Sequence, residues 1–128
     1  ICDIYLVMAM IPLFDALGQP RTDWNTDRIG GAFREISKAL DYLEEYIGVD
    51  GYAVGTSLTQ ADGVLLPQLI LAYEWAPRLF GTESLLGTHP KLSAYWHAIQ
   101  SDPIAARIIS ETRDGIEDAI ARRCAEGR

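Results

Sequence analysis

The stretch GTSLTQADGVLLPQL, residues 55–69, places polar side chains directly before one of the most apolar parts of the chain. Thr59 and Asp62 stand three positions apart, the spacing of a capping box, in which each side chain bonds the backbone N–H of the other residue. A buried helix start needs such partners because its first N–H groups have no acceptor within the helix. We therefore predict a structural capping box at Thr59 and Asp62. A catalytic or metal-binding role for Asp62 is the alternative.

Hydrophobic periodicity predicts helices on both sides of this box. From Ile29 to Ile47 apolar residues recur at spacings of three and four, the stripe of an amphipathic helix, with Asp27 as its start and Gly48 as its stop. The first 17 residues are apolar on almost every side, which predicts a buried helix. Further helices are predicted over 59–80, 89–101 and 102–123, the last two with a proline near the first turn. No alternating strand pattern occurs, so we predict an all-α bundle of about five helices in a single domain, residues 1–128.

Composition narrows the class of protein. A chain of 128 residues with 48% hydrophobic and 23% charged residues is typical of one globular domain. The net charge of −7 disfavours nucleic acid as a partner, because phosphate backbones are repelled. The apolar run IYLVMAMI, residues 4–11, is shorter than the roughly 20 residues that cross a bilayer, so no membrane partner is predicted. Cys2 and Cys124 lack the spacing of a metal site and predict free thiols in a cytoplasmic protein; a disulfide between them is the alternative.

Other motifs carry little chemistry. His89 and His97 stand eight positions apart without acidic neighbours in the sequence, so we predict packing roles and no metal site. GTSLT, residues 55–59, is not a nucleophile elbow, and GVDGYAVG, residues 48–55, is not a phosphate loop. Trp24, in a loop, either anchors that loop on the core or edges a pocket.

Three segments together carry a family resemblance. YAVGTSLTQADGVLLPQL (52–69), WAPRLF (75–80) and HPKLSAYWHAIQSDP (89–103) resemble the C-terminal helical domain of bacterial-type glutathione transferases. In that family a Thr-x-x-Asp box opens the long central helix, and a Pro-x-Leu segment with a nearby Trp, here Pro90, Leu92 and Trp96, follows it. The resemblance implies that glutathione is a co-substrate of the parent protein, activated by a thioredoxin-like N-terminal domain that we expect to be missing from this chain. The chain alone is then expected neither to contain a catalytic residue nor to bind glutathione tightly.

The resemblance also implies sites and partners. The first helix and the loop after it would line the pocket for a small hydrophobic electrophile, through Tyr5, Met8, Met10 and Trp24. Asp3 would be a possible glutathione contact, and residues 1–47 would form the interface of a homodimer. The alternative function is a non-catalytic module that assembles proteins through the same helical domain.

Overall fold

The computed structural model describes residues 5–126, and it is helical nearly throughout. The helices are α1 (Val7–Leu17), α2 (Thr26–Tyr46), α3 (Gln60–Ile70), α4 (Ala76–Phe80), α5 (Pro90–Ile99) and α6 (Pro103–Glu126). A π-helical turn, Leu71–Trp75, joins α3 to α4 without a break, so the described residues form five separate rods and contain no strand. This confirms the predicted all-α fold. Within the same residues, no helix combines the length and apolarity that crossing a membrane requires.

The long helix α2 begins at Thr26, one residue before the start that the sequence indicated. Asn25, not Asp27, is the N-cap, and its side-chain oxygen accepts a hydrogen bond from the Arg28 N–H at 3.1 Å. Asn and Asp both cap helices well. Asn25 is the cap here because it stands three positions before Arg28, whose N–H has no acceptor within the helix. After the helix, the Gly48 N–H donates to the Ala53 carbonyl at 3.0 Å. A Cβ on Gly48 would come within 2.6 Å of the Tyr52 carbonyl oxygen, which explains why glycine stands at this turn.

The rod that runs from Gln60 to Phe80 contains Pro67, which cannot donate a helical hydrogen bond. The π-helical turn begins four residues after this proline, at Leu71. The rod ends at Gly81, whose φ of 67° lies in the left-handed region that glycine adopts freely. The result is a long central element that changes its helical winding halfway along.

The core lies where the rods pack together: α1 against α2, α3 against α6, and α2 against α5. Leu40, Leu66, Leu69 and Ile99 are among its fully buried side chains. The prediction that α1 is buried on almost every side is wrong for the described part of it. One side of this helical segment, formed by Tyr5, Met8 and Ile11, is largely exposed, although the Tyr5 ring contacts Tyr42 of α2. We call these three residues the α1 face.

Candidate functional site

The carboxylate of Asp62 is completely buried and serves several donors at once. Its Oδ2 accepts from the Thr59 backbone N–H at 3.0 Å and lies 3.4 Å from the Thr59 hydroxyl, the arrangement of a capping box. Its Oδ1 accepts from the Ala53 N–H and from the Tyr95 hydroxyl, both at 2.9 Å. Asp62 therefore joins the loop before α3, the start of α3 and the side of α5. All these donors belong to the protein's own framework, which supports a structural role.

An apolar cavity of about 220 Å³ lies between α1, the second half of the central rod and α6. Its walls are almost entirely hydrocarbon and aromatic, as is usual for sites that bind small apolar molecules. The side chains that line it include Met10, Phe14, Trp75, Leu79, Phe80 and Ile120.

Of the four predicted pocket residues, one lines the cavity, one lines a groove beside it, and two line neither. Met10 lines the cavity and is itself only 2% exposed. Trp24 lines an open groove beside the cavity. Tyr5 and Met8 lie on the α1 face, where the Tyr5 ring packs on Tyr42 with 5.0 Å between centroids, and they line neither space. Asp3, the possible glutathione contact, lies outside the described residues.

Trp24 fulfils both roles that its sequence position suggested. The indole N–H donates to the Ala16 carbonyl at 2.7 Å, which fastens the loop to the end of α1. The ring packs on Phe80, with 4.8 Å between centroids, and so connects the loop to the end of α4. Anchoring the loop in this way also fixes one wall of the groove.

An ion pair joins the π-helical turn of the central rod to α6. The carboxylate of Glu74, in the π-helical turn, accepts two hydrogen bonds from the guanidinium of Arg113 in α6, one of them from Nε at 2.9 Å. These bonds raise the pKa of Arg113 above its ordinary value, although partial burial opposes the effect. One turn further along the rod, the Arg78 guanidinium lies 4.9 Å from the centroid of the Trp75 ring. The Glu74–Arg113 pair therefore joins the rod to α6, whereas the Arg78–Trp75 contact lies within the rod.

His89 is buried, and its acidic neighbour is one that the sequence did not reveal. Its Nε2 lies 2.6 Å from the carboxylate of Asp41, which stands on α2, and its Nδ1 lies 2.8 Å from the Thr88 hydroxyl. Asp41 is 48 positions away in the sequence, so local spacing could not predict the pair. The arrangement fixes the start of α5 against α2 and lies apart from the cavity.

The comparison with known families decides how this geometry is interpreted. A family model described as the C-terminal domain of glutathione S-transferase matches residues 32–107, more than half of the chain. The chain belongs to the glutathione S-transferase C-terminal domain family. The match includes α3, the π-helical turn and α5, the elements whose sequence carried the resemblance. Searches of curated proteins and of solved structures returned no match.

Sequence reasoning missed most of the side chains that shape the cavity of this glutathione S-transferase domain. Trp75 and Leu79 stand four residues apart on the central rod, and Ile116 and Ile120 show the same spacing on α6. Such spacing indicates a shared helix face, but a face that lines a cavity has the same pattern as one that fills the core. Only the relative placement of α1, the rod and α6 separates the two.

Proposed function

We propose that this domain forms the pocket for the hydrophobic co-substrate in a glutathione transferase-like protein. The observation that carries the proposal is the apolar cavity between α1, the central rod and α6. Its aromatic side chains suit a flat or bulky apolar electrophile, and Met10 can adapt to varied ligand shapes. The family membership supports the proposed reaction class, the attack of the glutathione sulfur on an electrophile.

In this proposal the described residues position the electrophile. Activation of the thiol belongs to a thioredoxin-like domain of the parent protein, as the family resemblance implies. Holding an electrophile against a neighbouring nucleophile removes much of the entropic cost of bringing two reactants together. The isolated chain should then bind apolar compounds but bind glutathione weakly. The cavity favours this function over that of an assembly module, which would need only an exterior surface.

A fluorescence titration with N-phenyl-1-naphthylamine, a neutral apolar probe, tests the proposal. Ala119 is an exposed alanine of α6 on the cavity lining, so Ala119→Phe should fill the space without disturbing the core. Ala121 is an exposed alanine of the same helix that lines neither the cavity nor the groove, so Ala121→Phe is the matched control. We expect Ala119→Phe to weaken probe binding at least about tenfold, because the added ring takes up space in the cavity and the probe loses apolar contact there. Ala121→Phe should leave probe binding unchanged. Equal binding by the three proteins would refute the pocket.

A further inference from the structure

A row of short hydrogen bonds passes through the buried ring of His89 at the start of α5. The Thr88 hydroxyl donates to the Leu85 carbonyl at 2.6 Å. The same hydroxyl oxygen lies 2.8 Å from Nδ1 of the His89 ring, and Nε2 lies 2.6 Å from the carboxylate of Asp41 on α2. Because the ring is buried, a bond that is lost here is not simply replaced by a bond to water.

The protons of this row can be counted from one end. A carbonyl oxygen only accepts hydrogen bonds, so the single proton of the Thr88 hydroxyl points to Leu85. The hydroxyl oxygen must then accept a bond on its other side, which places a proton on Nδ1 of His89. An ionised carboxylate also only accepts, so the contact between Nε2 and Asp41 needs a second proton. With both nitrogens protonated, the ring is an imidazolium.

The other location for the second proton is Asp41, which would leave the ring neutral. A carboxyl group releases its proton more readily than an imidazolium does. The Asp41 side chain is also 68% exposed, so water stabilises its ionised form. The proton between the two groups is therefore assigned to His89.

The charged groups around the start of α5 agree with a positive ring. Glu44 stands one turn further along α2, and its carboxylate bonds the first turn of α5. The loop before α5 adds one more negative side chain, Glu83. Of the cations, Lys91 is exposed, and Lys38 is paired within α2. Tyr73 of the rod adds no charge, because burial raises the pKa of its phenol to about 12.

We propose that His89 and Asp41 form a pH-sensitive clamp between α5 and α2, closed while the ring is doubly protonated and weakened when it loses a proton. Whichever nitrogen gives up the proton, one bond of the row is lost. Loss from Nε2 leaves a lone pair facing the Asp41 carboxylate. Loss from Nδ1 lets the Thr88 hydroxyl turn toward the ring, but its bond to Leu85 is then broken. The clamp therefore stabilises the start of α5 at low pH, and this stabilisation is lost as the pH rises. The inference does not depend on the proposed pocket function, since the clamp lies apart from the cavity.

Nitrogen NMR of the two histidine rings tests the charge of His89. His97, exposed on the same helix, is the internal reference. We expect both ring nitrogens of His89 to be protonated, and the second proton to be lost at a higher pH than in His97. Asp41→Asn should bring the two titrations closer together, because the amide oxygen still accepts a bond but carries no charge. Glu45→Gln, at an exposed glutamate of α2, is the control and should not. A His89 ring that loses its second proton at or below the pH at which His97 does would overturn the proposal.

Hydrogen exchange between about pH 5 and about pH 9, a range that includes the ordinary titration of histidine, tests the clamp itself. Exchange is expressed as protection factors, which remove the intrinsic pH dependence of amide exchange. The protection of the Lys91 and Leu92 amides, in the first turn of α5, should fall about tenfold as His89 loses its proton. This is the effect of losing one hydrogen bond to a charged group.

Two variants and a second helix start are the controls for this fall. It should persist in His97→Gln and be absent from His89→Gln. The Ile104 and Ala105 amides at the start of α6, whose cap contains no histidine, should keep their protection throughout. Constant protection in the first turn of α5 while His89 loses its proton would refute the clamp, as would an equal fall at both helix starts.

Discussion

Asp62 shows what one buried carboxylate contributes to this fold. Its spacing from Thr59 predicted a bond to the start of α3, and the Thr59 N–H lies 3.0 Å from Oδ2. Its bonds to Ala53 and Tyr95 could not be predicted in the same way, since Tyr95 is 33 positions away. Spacing in the sequence reveals only the partners of a carboxylate that lie within one helical turn. The other lone pairs of the Asp62 carboxylate accept bonds from residues that are distant in the sequence and that the fold brings close.

Removing this carboxylate should be costly because it leaves several buried donors without an acceptor. We expect Asp62→Ala to lower the free energy of unfolding by about 3 kcal/mol or more, and Tyr95→Phe, which removes the hydroxyl's bond to Asp62, by about 1 kcal/mol. Denaturant unfolding of the two variants and the wild type measures both values. An Asp62→Ala loss no larger than that of Tyr95→Phe would contradict this account of Asp62.

Tyr73 gives a prediction about pH. Burial, with a smaller effect of the Glu44 charge, raises the pKa of its phenol from 10.0 to about 12. The unfolded chain therefore loses this proton at lower pH than the folded protein does. The contribution of the buried, neutral Tyr73 phenol to the free energy of unfolding is fully present below pH 10 and is lost as the pH rises toward 12. The free energy of unfolding should therefore fall over that interval.

Tyr73→Phe isolates this effect. The hydroxyl finds no hydrogen-bond partner among the described residues, so its removal should change stability at neutral pH by less than about 1 kcal/mol. The alkaline fall should be smaller in this variant than in the wild type. Tyr46→Phe, at an exposed tyrosine, is the control and should keep the wild-type profile. Identical alkaline profiles for wild type and Tyr73→Phe would show that the phenol is not buried as described.

Among the elements, α5 is stabilised at its start by a different helix. Its N-cap residue, His89, makes no capping bond because its ring faces Asp41 and Thr88. The carboxylate of Glu44 on α2 instead accepts the N–H groups of Lys91 and Leu92, each at 2.8 Å. A carboxylate there also interacts favourably with the positive end of the helix dipole.

Glu44→Ala should therefore destabilise α5 specifically. We expect a loss of about 1–2 kcal/mol, the usual effect of removing a helix cap, with faster amide exchange at Lys91 and Leu92. Glu45→Ala, at the exposed neighbouring glutamate of α2, is the control. Hydrogen exchange read by NMR measures both variants, and unchanged protection of the two amides in Glu44→Ala would count against this cap.

The elements also show where sequence reasoning is reliable. The amphipathic stripe from Ile29 to Ile47 located α2 because every third or fourth residue must face the core. The π-helical turn at Leu71–Trp75 had no comparable signal, since the side chains on either side keep ordinary helical spacing. The α1 face was predicted to be buried because its residues are apolar, but burial depends on which neighbours exist, and hydrophobicity alone does not report them.

For the whole molecule, the α1 face bears on association. Met8 is 59% exposed and Tyr5 49% exposed, and Tyr42 of α2 continues the patch. A contiguous exposed apolar patch often marks an interaction surface. We propose that this surface, within residues 1–47, forms a two-fold homodimer, as the family resemblance implies.

Met8→Glu should shift such a dimer toward monomer, because it places a charge in the centre of the patch without touching the core. Ile104→Glu, at an exposed apolar residue at the start of α6, is the control and should leave association unchanged. Sedimentation velocity at high micromolar concentration measures the state of each protein, and circular dichroism verifies that both remain folded. A wild-type chain that sediments as a monomer would contradict the proposed interface.

The cavity and the α1 face are two apolar surfaces on opposite sides of α1, and we assign the small-molecule ligand to the cavity and not to the α1 face. Intermolecular NOEs between bound N-phenyl-1-naphthylamine and the protein side chains test that assignment most directly. We expect NOEs from the probe to Trp75, Phe80 and Ile120, which line the cavity. NOEs confined to Tyr5 and Tyr42 would contradict it, because the probe would then bind the surface assigned to protein association.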